Sequence, residues 1–277
     1  MSYNTGWNVT QNGIDHGAQG GLGAFDIAAL QALYGPNMST ATGDNTYVLP
    51  TFSDYVGEEG WFCIWDAGGQ DMLDAGHALG PVALDLRAAT RQSHDPNAGG
   101  FISWEVGVAG GFTIANGVVI ENATGGSHSD ELYGNFAANV LKGNSGQDRL
   151  WGDAGDDILY GGTGKDTLTG SSGRDAFVFD KKPSKKSNMD RISDFNRKDD
   201  TIRLDNAAFK KIGKAGKLKS KYFEAGSKAD DRNDYIVYNK KKGILYYDAD
   251  GSGKGKALEI ASLKKKLKLT YEDFAVI

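Results

Sequence analysis

The sequence predicts a mainly β fold: a parallel β-roll of glycine-rich nonapeptide repeats, flanked by β-strands or a β-sandwich, with one short helix near the N-terminus. Three observations carry that prediction. From Gly125 the chain divides without a gap into six nine-residue rows, GGSHSDELY, GNFAANVLK, GNSGQDRLW, GDAGDDILY, GGTGKDTLT and GSSGRDAFV, which fill residues 125–178. Elsewhere the apolar runs are short and strand-like, such as WFCIW at 61–65 and VVI at 118–120. Only FDIAALQALYGPN carries a helical stripe, Ile27, Leu30, Leu33 and Tyr34, closed by Gly35 and Pro36.

The columns of the repeat explain the roll. Column one is always Gly; column six is Asp130, Asn139, Asp148, Asp157, Asp166 and Asp175; column eight is Leu132, Leu141, Leu150, Leu159, Leu168 and Phe177. Glycines at columns one and four, among them Gly143, Gly146, Gly155, Gly161, Gly164 and Gly173, allow a tight turn and leave carbonyl oxygens uncovered as ligands. The last three residues of each row form a short strand whose period of two sends column eight inward. If two rows make one coil, alternate rows stack at roughly 4.8 Å and the column-six carboxylates lie one above another. Stacked carboxylates repel unless a cation sits between them, and oxygen ligands of this kind suit calcium better than zinc or copper. The roll is therefore expected to bind several calcium ions and to need them to fold. Rows one and two are weaker formers, because His128 and Ala137 stand at column four and Asn139 replaces Asp.

Charge marks a boundary. Residues 1–180 hold 6 Lys and Arg against 22 Asp and Glu, whereas residues 181–277 hold 25 against 14. The basic third lacks the arginine and stacking-aromatic pattern of RNA or single-stranded DNA binding, so no nucleic-acid partner is expected and its lysines read as a solvated surface. No apolar run approaches the ~20 residues that span a bilayer, which argues against membrane insertion. Cys63 is the single cysteine, so no internal disulfide forms, and it reads as a buried, inert thiol. Beyond the roll, MDRISDFNRKDDTIRLD alternates like two strands around a turn, and YNKKKGILYYDADGSGKGKALEIASL reads as a hairpin followed by an Asp-x-Asp-Gly loop. Asp248 and Asp250 in that loop are a further calcium candidate, although a polar turn explains them as well.

The repeats, VVIENATGG, FDIAALQALYGPNMSTATGDNTY and IWDAGGQDMLDAG together resemble the C-terminal portion of serralysins, secreted bacterial zinc proteases of the metzincin class. The resemblance implies that Met1-Ser2-Tyr3 stands at the family's Met-turn, with Tyr3 at its extra tyrosine ligand. The preceding HExxHxxGxxH helix is not in this sequence: none of His16, His77, His94 and His128 belongs to an HExxH, so neither catalytic zinc nor proteolysis is expected of this chain. The implied organisation is a protease remnant with a linking helix at 1–36, a calcium-binding roll domain at 37–180, and a lysine-rich β region at 181–277. The linking helix is expected to pack on the roll domain.

The resemblance also implies calcium outside the repeats. Asp66, Gly68 and Asp71 would share one ion with backbone oxygens near Ala41, Gly43 and Asn45; Gly69, Asp71 and Glu121 would share a second. Ala41 stands where the family often has Arg, and Asn45 and Val119 replace threonines, which weakens the second site. The last residues, LTYEDFAVI, resemble the uncleaved C-terminal signal of type I secretion substrates. That implies a type I secretion apparatus as export partner and an extracellular location. Three readings follow: a calcium-folded secretion module, the C-terminal part of a zinc metalloendopeptidase with its HExxH helix upstream, or an extracellular adhesion or scaffold protein.

Overall fold

The computed structural model describes residues 22–51, 60–92, 94–108, 110–184 and 188–277. Met1, Ser2, Tyr3 and His16 fall outside them, so the Met-turn expectation lies outside the described residues. The chain divides into two compact units, Met1–Asn139 and Val140–Ile277.

In the first unit, helix α1 spans Ala24–Tyr34. Asp26 accepts the Gly23 N–H at 3.1 Å at its start, and Gly35, at φ 80°, ends it by donating to the Gln31 carbonyl at 2.9 Å. The expected packing of its apolar stripe is corrected: only Ala24 is buried, while Leu30, Leu33 and Tyr34 are 44%, 74% and 83% exposed. Phe25 is also exposed, so the helix is apolar on more than one side and its periodicity selects no single face to bury.

The strands that follow are β1 (Thr46–Val48), β2 (Trp61–Ile64), β3 (Met72–Asp74), β4 (Val82–Asp85), β5 (Trp104–Glu105), β6 (Gly111–Ile114), β7 (Asn122–Thr124) and β8 (Glu131–Tyr133). β1, β3 and β7 run parallel with Tyr47, Leu73 and Ala123 in register. β4 pairs parallel with β8, setting Leu84 opposite Leu132, and antiparallel with β5. β2 and β6 form a separate parallel pair. Cys63 on β2 is free and half-buried, and burial pushes its thiol above the usual range.

The second unit contains β9 (Val140–Lys142), β10 (Ser145–Gly146), β11 (Arg149–Trp151), β12 (Ile158–Tyr160), β13 (Thr163–Gly164), β14 (Thr167–Thr169), β15 (Ala176–Phe179), β16 (Asp190–Ile192) and β17 (Thr201–Leu204). It continues with β18 (Gly216–Lys217), β19 (Phe223–Glu224), β20 (Ile236–Asn239), β21 (Ile244–Tyr247), β22 (Leu258–Ser262) and β23 (Phe274–Val276). One layer runs in the order β9-β12-β15-β17-β23-β18, the other β11-β14-β16-β22-β21-β20-β19. The repeat strands pair parallel: Leu141, Leu159 and Phe177 stack in one layer, and Leu150 and Leu168 in the other. Each step is eighteen residues, so two rows make one coil, the case in which alternate rows stack.

All five of these column-eight side chains are fully buried. Each removes an apolar side chain from water at about 2 kcal/mol, and their parallel register makes the core a continuous ladder. The ladder runs on past the repeats. Ile192 on β16 stacks on Leu168, and Ile202 on β17 stacks on Phe177 and then faces Phe274 on β23. The β20–β21 hairpin and β22 are antiparallel, as the alternation of that segment predicts.

Candidate functional site

The turns between roll strands gather the column-six carboxylates in a repeating hydrogen-bond pattern. The Asp148 N–H donates to Asp166 Oδ1 at 2.9 Å, one coil on, and the Asp157 N–H donates to Asp175 Oδ1 at 3.1 Å. The same bond continues beyond the repeats: Asp166 N–H to Asp190 Oδ1 and Asp175 N–H to Asp200 Oδ1, both at 3.1 Å. One carboxylate oxygen is thus spent on holding the stack. The other faces inward, and Oδ2 of Asp166 and of Asp175 is buried without a hydrogen-bond partner.

The glycines make room for those oxygens, and here the structure corrects the reading of column one. The left-handed backbone falls at columns two and four: Asn144, Asp153, Gly162 and Ser171 have φ of 71°, 75°, 97° and 69°, and Gly146, Gly155, Gly164 and Gly173 have φ between 111° and 153°. Column one needs glycine for space instead. A Cβ on Gly143 would collide with Asp148 Oδ2 and stand 2.8 Å from the Gly161 carbonyl oxygen; one on Gly161 would stand 2.5 Å from Asp166 Oδ2. A Cβ on Gly164 or Gly173 would collide with the carbonyl oxygen of Gly146 or Gly155 respectively. The turn interiors are therefore lined by carboxylate and carbonyl oxygens.

Burial without a counter-charge raises the carboxyl pKa values. Burial, with the charges of Asp200, Asp194 and Asp156, pushes Asp175 up to about 6. Burial raises Asp166 and Asp190 as well, and Asp190 is raised further by Asp166. Asp130 is raised by burial and by Glu105, against hydrogen bonds from the Val82 and Gly126 N–H groups at 2.9 and 2.7 Å. Asn139 sits in a neutral network instead. Its Oδ1 accepts the Asn135 N–H at 2.8 Å, and its amide donates to the Glu121 carbonyl at 3.0 Å and to Asn135 Oδ1 at 3.2 Å.

The first unit builds a second oxygen-rich centre. The Asn45 N–H donates to Asp71 Oδ1 at 2.8 Å, and the Asp71 N–H donates to Glu121 Oε2 at 2.8 Å. Gly68 N–H donates to Asp66 Oδ1 at 2.8 Å. A Cβ on Gly69 would collide with the Gly43 carbonyl and stand 2.9 Å from Asp71 Oδ1. The Ala41 carbonyl, at φ 50°, accepts the Ala67 N–H at 3.1 Å. Asp71 is fully buried with Oδ2 unpartnered, and burial together with Asp66 and Glu121 raises its pKa. The structure thus brings together Asp66, Gly68, Gly69, Asp71, Glu121, Ala41, Gly43 and Asn45.

Sequence reasoning missed several participants. Tyr47 donates its hydroxyl to Asp66 Oδ2 at 2.5 Å, and burial with that bond raises its pKa. Asp190 and Asp200 extend the carboxylate ladder; each precedes an inward Ile by two residues, the same Asp-x-apolar spacing as columns six and eight, so that spacing was the available signal. Glu105 is buried on β5, its Oε1 accepting the Leu79 and Gly80 N–H groups at 2.9 and 2.7 Å and its Oε2 unpartnered. Asp248 and Asp250 stand apart from the ladder in a polar turn, where Asp250 Oδ2 accepts the Gly255 N–H at 2.9 Å. Among the described residues no three His, Cys, Asp or Glu side chains converge as a chelating group. The chemistry on offer is therefore one or two carboxylates per turn with backbone carbonyls, an acceptor-only oxygen set that fits a hard divalent cation.

The chain is similar in sequence to known proteins. A family model described as Peptidase M10 serralysin C terminal matches residues 32–239. Metallopeptidase AprA of Pseudomonas marginalis is 37% identical over 152 residues, which are 51% of this chain and 29% of that protein. Serralysin C of Dickeya chrysanthemi is 38% identical over 141 residues, 48% of this chain and 26% of that protein. Serralysin of Proteus mirabilis is 36% identical over 150 residues, 51% and 28% of the two chains. The aligned stretch spans less than a third of the length of these relatives. Among solved structures, the AlgE6R3 subunit of the Azotobacter vinelandii mannuronan C5-epimerase is 24% identical with a TM-score of 0.37, covering 53% of this chain and 78% of that one.

Proposed function

Because this chain belongs to the peptidase M10 serralysin C-terminal family, we propose that it is a calcium-binding module that folds when its turns take up calcium and that it works outside the cell after type I export. The observation that carries the reading is the buried, unpartnered Oδ2 of Asp166 and Asp175, stacked on carboxylates one coil away. Bound calcium supplies the positive charge that makes burial of these carboxylates favourable. The chain's own residues do the rest: Asp148, Asp157, Asp166 and Asp175 present oxygens, Gly146, Gly155, Gly164 and Gly173 admit the neighbouring coil, and the column-eight side chains close the core. Asp66, Asp71 and Glu121 with the Gly43 and Asn45 turn would hold ions in the first unit.

Metal dependence couples folding to location. At low cytosolic calcium the roll stays open, which suits passage through a narrow export channel, and extracellular modules work at affinities of ~10⁻⁴–10⁻³ M. Far-UV circular dichroism tests this: in chelator the β signal is lost, and added calcium restores it. A spectrum unchanged by chelator overturns the proposal.

A second reading has its own support. The relatives are proteases several times longer than the aligned stretch, which favours a native product in which this module follows a zinc-bearing catalytic domain. Intact mass and zinc content of the exported protein separate the two: a mass near 29.6 kDa without zinc supports a free-standing module without catalysis, and a larger zinc protein supports the protease. Within the described residues no helix is long and apolar enough to cross a membrane.

A further inference from the structure

The second unit brings together two lysine triads that are far apart in sequence. Lys240, Lys241 and Lys242 form the turn between β20 and β21, and Lys264, Lys265 and Lys266 follow β22. The backbone joins them: Lys266 N–H donates to the Lys240 carbonyl at 2.8 Å, and Leu263 N–H to the Gly243 carbonyl at 2.7 Å. The Tyr238 hydroxyl donates to the Lys264 carbonyl at 3.2 Å, pinning the second segment to the hairpin. Gly243, at φ 75°, allows the approach, since a Cβ there would collide with the Leu263 carbonyl oxygen. All six lysines are exposed, and no ion pair among the described residues involves them. Neither NKKKGIL (239–245) nor SLKKKLKLT (262–270) contains an acidic residue.

Six like charges packed onto two joined turns repel one another, and no ion pair among the described residues offsets them. We propose that this patch is a docking surface for a linear acidic polysaccharide, whose repeating carboxylate or sulfate groups lie along the two triads. The side-chain chemistry selects that partner. Lysine is a hydrated point charge without the planar fork that grips a single phosphate or carboxylate, so it suits a polymer bound by charge count. Neither triad carries an arginine or a base-stacking aromatic, which single-stranded nucleic acid uses. Among the described residues of this unit the exposed large apolar side chains are Tyr271 and Ile277, outside both triads, so the patch has no apolar face to enter a bilayer. The docking surface goes beyond the calcium reading and rests on it only for the location, since retention outside the cell is what such a surface would add.

The test uses the full calcium-loaded chain with dextran sulfate and with polygalacturonate as probes, at about 150 mM salt where surface charges more than ~8 Å apart are screened. Three variants with equal loss of charge are compared: Lys240, Lys241 and Lys242→Gln; Lys264, Lys265 and Lys266→Gln; and the exposed control Lys217, Lys219 and Lys221→Gln. Each patch variant should weaken binding about tenfold while the control changes it less than about twofold. Binding to either polymer supports the proposal and identifies the anion. No binding of the unmodified chain, equal weakening by the control, or tighter binding to duplex DNA or to anionic vesicles overturns it. Circular dichroism of each variant in calcium separates lost docking from lost fold.

Discussion

At the scale of single residues, the central fact is that a backbone N–H fixes one oxygen of each stacked carboxylate and the other oxygen is left buried for a ligand. Asp166 and Asp175 each spend Oδ1 on a backbone N–H of the preceding coil, which leaves Oδ2 turned into the turn without a partner. In the folded chain burial raises the pKa of Asp175 to about 6, above the ~3.9 of an unfolded aspartate. A folded-state pKa raised in this way contributes stability below about pH 4 and loses it as pH rises through about 6. The metal-free chain should therefore be more structured at pH 5 than at pH 7.5, and protons should compete with calcium, raising the calcium midpoint as pH falls. Circular dichroism of desalted protein across this range checks both statements; metal-free structure that instead grows with rising pH contradicts them. The same scale explains why column one is invariant: an added Cβ at Gly143 or Gly161 would occupy the space of the carboxylate oxygen itself.

At the scale of elements, the strands that carry column eight are only three or four residues long, too short to stand alone, and one buried side chain per row couples each to the next coil. Leu159 is fully buried between Leu141 and Phe177 in the parallel register. Leu159→Ala should destabilise the calcium-loaded protein by about 2–5 kcal/mol, read from denaturant midpoints. Helix α1 provides the contrast. Leu33 is 74% exposed, so Leu33→Ala should change stability by less than about 0.5 kcal/mol in the same assay. A large loss at Leu33 would mean that the stripe is covered in solution. The repeat made strand positions and register legible because its period is strict. The helix was legible as an element, yet its burial was not, since several sides of it are apolar.

At the scale of the whole molecule, the acidic ladder and the lysine-rich region are different devices in one chain, and the charge split along the sequence marks them. Replacing Asp157 and Asp175 with Asn should raise the calcium concentration needed for folding about tenfold or more, because two stacked turns lose charge. The same change at the exposed pair Asp230 and Asp231 should leave the midpoint in place, although net charge changes equally. A calcium titration of both variants by circular dichroism decides between site-specific and general electrostatic effects.

The sequence by itself determined the roll's repeat: a nine-residue period with Gly, Asp and Leu in fixed columns specifies which side chain turns inward and which residues gather at the turns, and the structure shows that two rows make a coil. The first two are local consequences of backbone geometry, so they can be read along the chain. Tertiary structure decided what depends on residues distant in sequence. Asp190 and Asp200 join the ladder after steps of 24 and 25 residues that break the period. Glu105 enters a turn from an antiparallel neighbour, Tyr47 on β1 reaches Asp66 in the turn between β2 and β3, and Lys240 meets Lys266 through one backbone hydrogen bond. Register between short-range neighbours follows from spacing, whereas the meeting of distant loops follows from how the strands that carry them pack.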